Sequence, residues 1–388
     1  LPETVDEVAD AGDAATAVTP LAASSFSSEG AQERLTRLYG VATLDAFGSF
    51  GRAEVSALGA LVAYLEITQK GRLPRLRPPV REAAGSAMAI DAATRRNLEI
   101  AQGAGGGRSG SLVMAVDRTV TAAGARLLDR RLAAPSCDLA EIGARHDAVA
   151  ALVADADLRE ALRAALARVP DMDRALSRLA LDRGGPRDLA ALRDGLAQAA
   201  EVAARLSGDV PARLSEAAAD LKGHAELADR LDAALVADPP MLARDGGFIA
   251  AGHDPALDEA RTLRDEGRSV IAGLQAQYAE ATGIGALKVK HNNVLGYFIE
   301  TTATHAERML SAPLSETFIH RQTTANAVRF TTVELSDLER RILSAGGEAL
   351  ARERVLFDGL RQACLDHGAG IGAAARALAE IDLAAAFA

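Results

Sequence analysis

The sequence predicts a mainly α protein, a helical core in which two long helices carry a small inserted β-rich unit, and three observations lead there. Alanine and leucine dominate while aromatics make up 3% and tryptophan is absent, a composition suited to helices packed through small side chains. Apolar residues recur at spacings of three and four along most of the chain. Between Leu287 and Val333 that period gives way to alternation and β-branched runs. With 388 residues and 49% hydrophobic content the chain exceeds one comfortable domain, so two or three are expected.

Residues 1–30, rich in Ala, Ser, Thr and Asp, carry no sustained period and read as a loop or linker. Helical patterning starts at Ala31: Leu35 and Leu38 share a face, and Val55, Leu58, Leu61, Val62 and Leu65 form a second stripe. Three prolines between Arg72 and Pro79, interleaved with Arg72, Arg75 and Arg77, stop helices and mark a domain boundary. Lacking aromatic stacking residues, this run reads as a charged linker and not as a nucleic-acid arm. The loop Gly103 to Ser111 has no Gly-Lys-Ser/Thr ending, so it reads as a flexible linker and not as a phosphate cradle.

Helices are then expected over Thr119 to Leu132, Leu139 to Leu152, Leu158 to Leu166, Leu189 to Leu206 and Leu221 to Leu235. His146 falls in the apolar stripe of the second of these and is expected to pack, not to bind metal. Pro255 can open a helix that continues to Thr282, about 40 Å at 1.5 Å per residue, and a second of about 45–50 Å starts near Val333. Strand candidates between them are Leu287 to Lys290, Gly296 to Thr302, Phe318-Ile319 and Val328 to Val333.

A net charge of −10 excludes a whole-surface nucleic-acid platform, so any such contact must be local. Cys137 and Cys364 lie far apart, which fits a reducing compartment and leaves both as buried helix fillers. No run of 18 apolar residues and no signal-peptide pattern occurs, so a cytoplasmic protein without membrane contact is expected. The start at Leu1 and the apolar helical pattern at Ala388 suggest a piece of something longer. H-E-x-x-H, G-x-S-x-G, C-x-x-C and G-K-[ST] are all missing, so neither catalytic residues nor a cofactor of its own are expected.

From Lys288 to Phe330 the cations Lys288, Lys290, Arg308, Arg321 and Arg329 face Glu300, Glu307 and Glu316, a local balance of +2. His320-Arg321-Gln322-Thr323-Thr324 and Asn326 place short polar groups beside a guanidinium, suited to phosphate and sugar oxygens. A solvated polar loop would have the same composition, and both readings stand at this point. His291, His305 and His320, spaced by 14 and 15, match no zinc pattern.

Several ordered motifs then carry a resemblance. Asp91-Ala92-Ala93-Thr94-Arg95-Arg96-Asn97-Leu98-Glu99-Ile100, Asp117-Arg118-Thr119-Val120-Thr121 with Gly124 and Arg126-Leu127-Leu128, and Pro186-Arg187-Asp188-Leu189 resemble the core of the MutS family of DNA mismatch-recognition proteins. Leu287-Lys288-Val289, Asn292, Gly296-Tyr297-Phe298-Ile299, Arg321-Gln322-Thr323, Asn326-Ala327 and Arg329 resemble its clamp. Leu38-Tyr39-Gly40-Val41 and Gln69-Lys70-Gly71 resemble the end of its connector.

The resemblance implies a connector remnant and linker over 1–80, a core and lever domain over 81–284 and 341–388, and a β-rich clamp over 285–340. It implies that the clamp grips double-stranded DNA by its backbone, through Arg321, Thr323, Asn326 and Arg329 with Lys288 and Lys290 in support. Arg329 is alternatively expected to pair with Glu334. Ala325 and Asn293 stand where family members often have lysine, which would weaken the grip.

The resemblance further implies ATP and Mg²⁺ in an ATPase domain beyond this chain, a homodimer, a MutL-type repair partner and a nucleoid-associated cytoplasmic location. Neither ATP hydrolysis nor mismatch reading is expected of the chain itself, since the resemblance places the Walker-A ATPase domain and the N-terminal mismatch-reading domain with its Phe-x-Glu wedge outside it. A helical protein-interaction scaffold and a relative acting in recombination are the competing readings.

Overall fold

The computed structural model describes residues 22–71, 73–74, 76–81, 85–292, 295–324 and 326–388, with the side chain of Arg268 set aside. Fifteen α-helices lie among the described residues: α1 (Ser28–Tyr39), α2 (Arg52–Thr68), α3 (Ala92–Asn97), α4 (Leu112–Val116), α5 (Ala122–Ala133), α6 (Leu139–Ala154), α7 (Ala156–Leu166), α8 (Met172–Ala180), α9 (Pro186–Arg205), α10 (Ala212–Asp220), α11 (Ala225–Ala234), α12 (Pro255–Thr282), α13 (Ala303–Met309), α14 (Val333–Asp366) and α15 (Gly368–Phe387). Strands β1 (Lys288–Asn292), β2 (Gly296–Thr302), β3 (Ile319–Thr323) and β4 (Ala327–Thr331) form one antiparallel sheet in the order β1-β2-β4-β3. The protein is therefore mainly α with a small β insertion, as expected. No described helix is long and apolar enough to cross a membrane.

Two compact units divide the chain, one reaching residue 232 and including 361–388, the other formed by 233–360. In the first, Leu35, Leu44 and Val62 join α1 and α2 into a small core on which Leu73 and Leu76 also pack. Tyr39 donates its hydroxyl to the Arg77 carbonyl at 2.8 Å, so Leu73, Leu76 and Arg77 of the Arg-Pro run lie against these helices. Arg72 and Arg75 lie outside the described residues, as does most of the N-terminal loop predicted over 1–30, although α1 already begins at Ser28.

The glycine loop also differs from a flexible linker. Gly107 accepts a backbone bond from Gly103, and a Cβ on Gly103 would overlap the Ser109 carbonyl. Ser111 then caps α4 through the Met114 amide at 3.2 Å. The helix expected from Leu221 starts only at Ala225, because Gly223 adopts φ 85°, a left-handed break after α10. Cys364 is buried in α14, where burial pushes its thiol up to about 12. Cys137, expected to be buried in a helix, is instead exposed between α5 and α6.

Helix α15, apolar nearly all round, is buried in the first unit. Its one buried acid, Asp382, accepts bonds from the amides of Val120 and Thr121 at 3.0 and 2.8 Å and from the Thr121 hydroxyl at 2.6 Å. Thr121 in turn caps α5 through the Gly124 amide. The segment Asp117 to Gly124 is thus a helix start closed by a carboxylate from a distant helix. A side chain on Gly124 would overlap Asp382 and crowd Thr121. Gly124→Ala should therefore lower stability by about 2 kcal/mol despite alanine's better helix propensity, because overpacking outweighs propensity. A thermal melt checks the sign.

The second unit is organised by α12 and α14, which run antiparallel. Pro255 occupies the first turn of α12, and Asp254 caps it through the Leu257 amide at 2.9 Å. Asp254 also receives Nε and Nη2 of Arg352 on α14 at 3.0 and 2.6 Å. Beside this pair the buried Glu353 accepts from Arg261 on α12 and from the Gly247 amide. At the opposite end of the two helices, Tyr278 of α12 meets the hydroxyl of Thr332 at 2.6 Å, and Thr332 caps α14 through the Leu335 amide at 2.9 Å. Burial pushes the Tyr278 hydroxyl up to about 12, so it stays protonated and available as a donor.

The Arg352 guanidinium and the Leu257 amide hold the Asp254 carboxyl at about 2, below its ordinary 3.8. Its contribution to stability is therefore full above pH ~4 and is lost as pH falls from there towards 2. Asp254→Ala should cost about 1–2 kcal/mol at neutral pH through loss of the cap, and Asp254→Asn less, since asparagine also caps. Denaturant titrations at pH 7 and pH 3 test this: the wild-type advantage over Asp254→Asn should shrink at the lower pH.

Candidate nucleic-acid interface

The sheet packs one face against the long helices, because Val289, Ile299, Val328 and Phe330 fall on the same side of their strands. Val289, Ile299, Val328 and Phe330 join Leu274, Tyr278, Leu335 and Leu338 from the long helices in a single core, which Ala306 and Met309 of α13 complete. Gly296, at φ 66°, lets Glu339 of α14 approach and accept the Tyr297 amide at 3.1 Å, and a Cβ there would overlap that carboxylate. On the edge strand β1, the Val289 amide donates to Gln275 of α12 at 2.8 Å. One edge of the sheet is thus fastened to a long helix.

Register places the opposite face. Lys288 lies across from Glu300, Lys290 from Phe298, Glu300 from Arg329, and Arg329 from Gln322. Lys288, Glu300, Arg329 and Gln322 therefore form one polar row across all four strands, and Lys290, two residues along β1 and opposite Phe298, lies on the same face. Glu300 sits at its centre, bonded to Lys290 Nζ at 2.6 Å and Arg329 Nε at 3.2 Å. The Lys290 bond above all, then Arg329, holds its carboxyl below the usual range. Arg329 also donates to Gln322 Oε1 at 2.9 Å and stacks 4.6 Å above the Phe298 ring centroid. The alternative to a DNA contact for Arg329 was a pairing with Glu334. Glu334 instead accepts from the Tyr278 hydroxyl at 3.3 Å, because register delivers Glu300 directly opposite Arg329.

The strand candidate at Phe318-Ile319 continues through the polar stretch as the edge strand β3, all five residues of which are exposed. A bulge between His320 and Gln322 leaves Arg321 without a cross-strand partner. Its exposed guanidinium has no ion pair among the described residues. Thr323 meets His320 Nε2 at 2.9 Å, and Thr324 closes the hairpin onto the Ala327 carbonyl. Asn326 is exposed in that turn. Ala325 and Asn293, where the resemblance places lost lysines, lie outside the described residues.

The six residues singled out from the sequence thus fall into three groups. Arg321, Thr323 and Asn326 share the β3–β4 hairpin. Lys290 and Arg329 share a carboxylate. Lys288 stands exposed at the start of β1, with no ion pair among the described residues. With three strand intervals of about 4.8 Å, the cations of β1 and Arg321 are held about 14 Å apart on opposite edges. Sequence reasoning counted Glu300 and Gln322 only in the local charge and polar inventory and missed that Arg329 joins both and stacks on Phe298, since only register brings them together. His291 packs edge-on to Tyr297 and His320 to Phe330. Among the described residues no group of three metal-ligating side chains converges.

Fold and site together define a helical scaffold protein that presents a cationic, polar sheet face on a pair of long helices. Residues 93–388, well over half of the chain, match the family model described as MutS domain III, and residues 4–77 match MutS domain II. The chain belongs to the MutS family. It is 64% identical over 384 residues to the DNA mismatch repair protein MutS of Paracoccus denitrificans, covering 99% of this chain and 44% of that protein. It is 65% identical over 372 residues to MutS of Cereibacter sphaeroides strain ATCC 17025, and 61% identical over 372 residues to that of Ruegeria pomeroyi, in each case over 96% of this chain and 42% of the relative. The chain thus spans less than half the length of these curated relatives.

Proposed function

We propose that this chain is the DNA-gripping and lever portion of a mismatch-recognition protein, with the β sheet closing on the duplex backbone without reading sequence. The observation that carries the reading is the polar face and the β3–β4 hairpin: guanidinium, ammonium, amide and hydroxyl groups on one sheet, suited to phosphate and sugar oxygens. The relatives' printed name, DNA mismatch repair protein, and the joint match to domains II and III favour repair over recombination.

Helices α12 and α14 join the sheet directly, through 283–287 and Thr332. In the proposed mechanism this lets closure of the sheet on DNA be coupled to an ATPase domain elsewhere in the whole protein. ATP and Mg²⁺ would act there, and dimer formation and contact with a MutL-type partner belong to the same whole-protein reading, in the cytoplasm at the nucleoid. Within this chain the work is backbone contact and its mechanical transmission.

The test is titration of duplex DNA at several salt concentrations. Log affinity should fall linearly with log salt as phosphates are neutralised, and Arg321→Ala should weaken matched and mismatched duplexes alike while reducing the slope by about 1. Binding indifferent to salt, or no binding, would contradict the proposal, as would a variant that changed only mismatch preference.

A further inference from the structure

We infer that Glu300 restrains the grip of this sheet, holding two of its cations in ion pairs so that only part of the positive face is free for phosphate. The inference rests on the DNA-backbone reading above. Three cations and one carboxylate share the outward face, and the carboxylate touches two of the three. Lys290 has no other partner among the described residues, and its side chain remains 50% exposed, so its ammonium sits within reach of a ligand but already neutralised. For such a group, contact with phosphate exchanges one anion for another and gains little.

Arg329 does not need Glu300 to keep its place. The Phe298 ring beneath it and Gln322 beside it hold the guanidinium in the row. Nor does the sheet depend on the carboxylate for assembly: β2 is paired on both sides by backbone bonds, and its neighbours Ile299 and Thr301 are buried. Removing the charge from Glu300 should therefore leave a folded sheet with two additional available cations, whereas Lys288 and Arg321 are available already.

The experiment measures binding of the full chain to a matched duplex of about 30 base pairs across a salt series, for wild type, Glu300→Gln, Glu316→Gln and Arg321→Ala. Glu316 is exposed and has no ion pair among the described residues, so its replacement makes the same change in net charge without releasing a cation. Glu300→Gln is expected to tighten binding roughly 3- to 10-fold at low salt and to steepen the log–log slope by about 2 when both freed cations meet phosphate, roughly 0.9 for each, with Glu316→Gln giving clearly less. In a Lys290→Ala background the gain from Glu300→Gln should shrink, since the two residues act as a pair.

A folded Glu300→Gln variant that binds no tighter than wild type, or a Glu316→Gln variant that gains as much, overturns the inference. If Glu300→Gln does not melt cooperatively, Glu300→Ser replaces it, and loss of the fold in both assigns Glu300 to holding the sheet and likewise overturns it. Failure of the DNA reading looks different: wild type does not bind, or Arg321→Ala has no effect. If Arg321→Ala weakens binding and Glu300→Gln does not strengthen it, only the role given to Glu300 fails.

Discussion

Two long helices held side by side at both ends are the constraint on which the second unit depends. An isolated helix of 28 or 34 residues has no reason to stay in register with another, and each carries interior glycines that weaken it further. Arg352 on the Asp254 cap and Arg261 on Glu353 fix one end, and the Tyr278–Thr332 hydroxyl pair fixes the other. At both ends the residue that joins the helices is bonded to a helix cap. Sliding one helix by a turn would therefore break an interhelical bond and disturb a cap together. The sheet follows directly from this, since β1 leaves α12 and β4 enters α14 within a few residues.

The first unit uses a similar device in another place. Asp382 accepts the amides at the start of α5 and leaves no room for a side chain at Gly124. Nearby, Glu380 is shared by Arg131 and Arg213, and Arg213 reaches Glu141. Arginines fixed in this way neutralise carboxylates and say nothing about nucleic acid. In a chain of net charge −10 the useful count is therefore of cations without a carboxylate, which is a matter of geometry and not of composition.

The long helices were legible because their signals are local: Pro255 at a first turn, apolar residues at helical spacing, and a sudden change of period after Thr282. Of strand β3 only the start, at the Phe318-Ile319 candidate, was legible. His320 to Thr323 is exposed throughout, so no alternation betrays it, and the residues that looked like a donor-rich loop are an edge strand with a bulge. The pairing of Arg329 was hidden for a different reason: Glu300 is 29 residues away in sequence and meets it only through register. Helix α13 escaped notice as well, a short segment of Ala303–Met309 between two strands whose Ala306 and Met309 seal the core. Cys137 lies where a helix interior was expected but the chain turns between α5 and α6. Local rules found the scaffold, and contacts distant in sequence determined the character of the site.

The central claim is that the sheet, and within it the β3–β4 hairpin and β1, meets the DNA backbone. Hydrogen–deuterium exchange of the chain with and without a saturating duplex tests it most directly, because it reports the location of contact and not only its strength. Protection should concentrate at Lys288–Asn292 and across Ile319–Thr331, leaving α1, α2 and α9 unchanged. Protection confined to those helices, with the sheet exchanging as freely as before, would contradict the account.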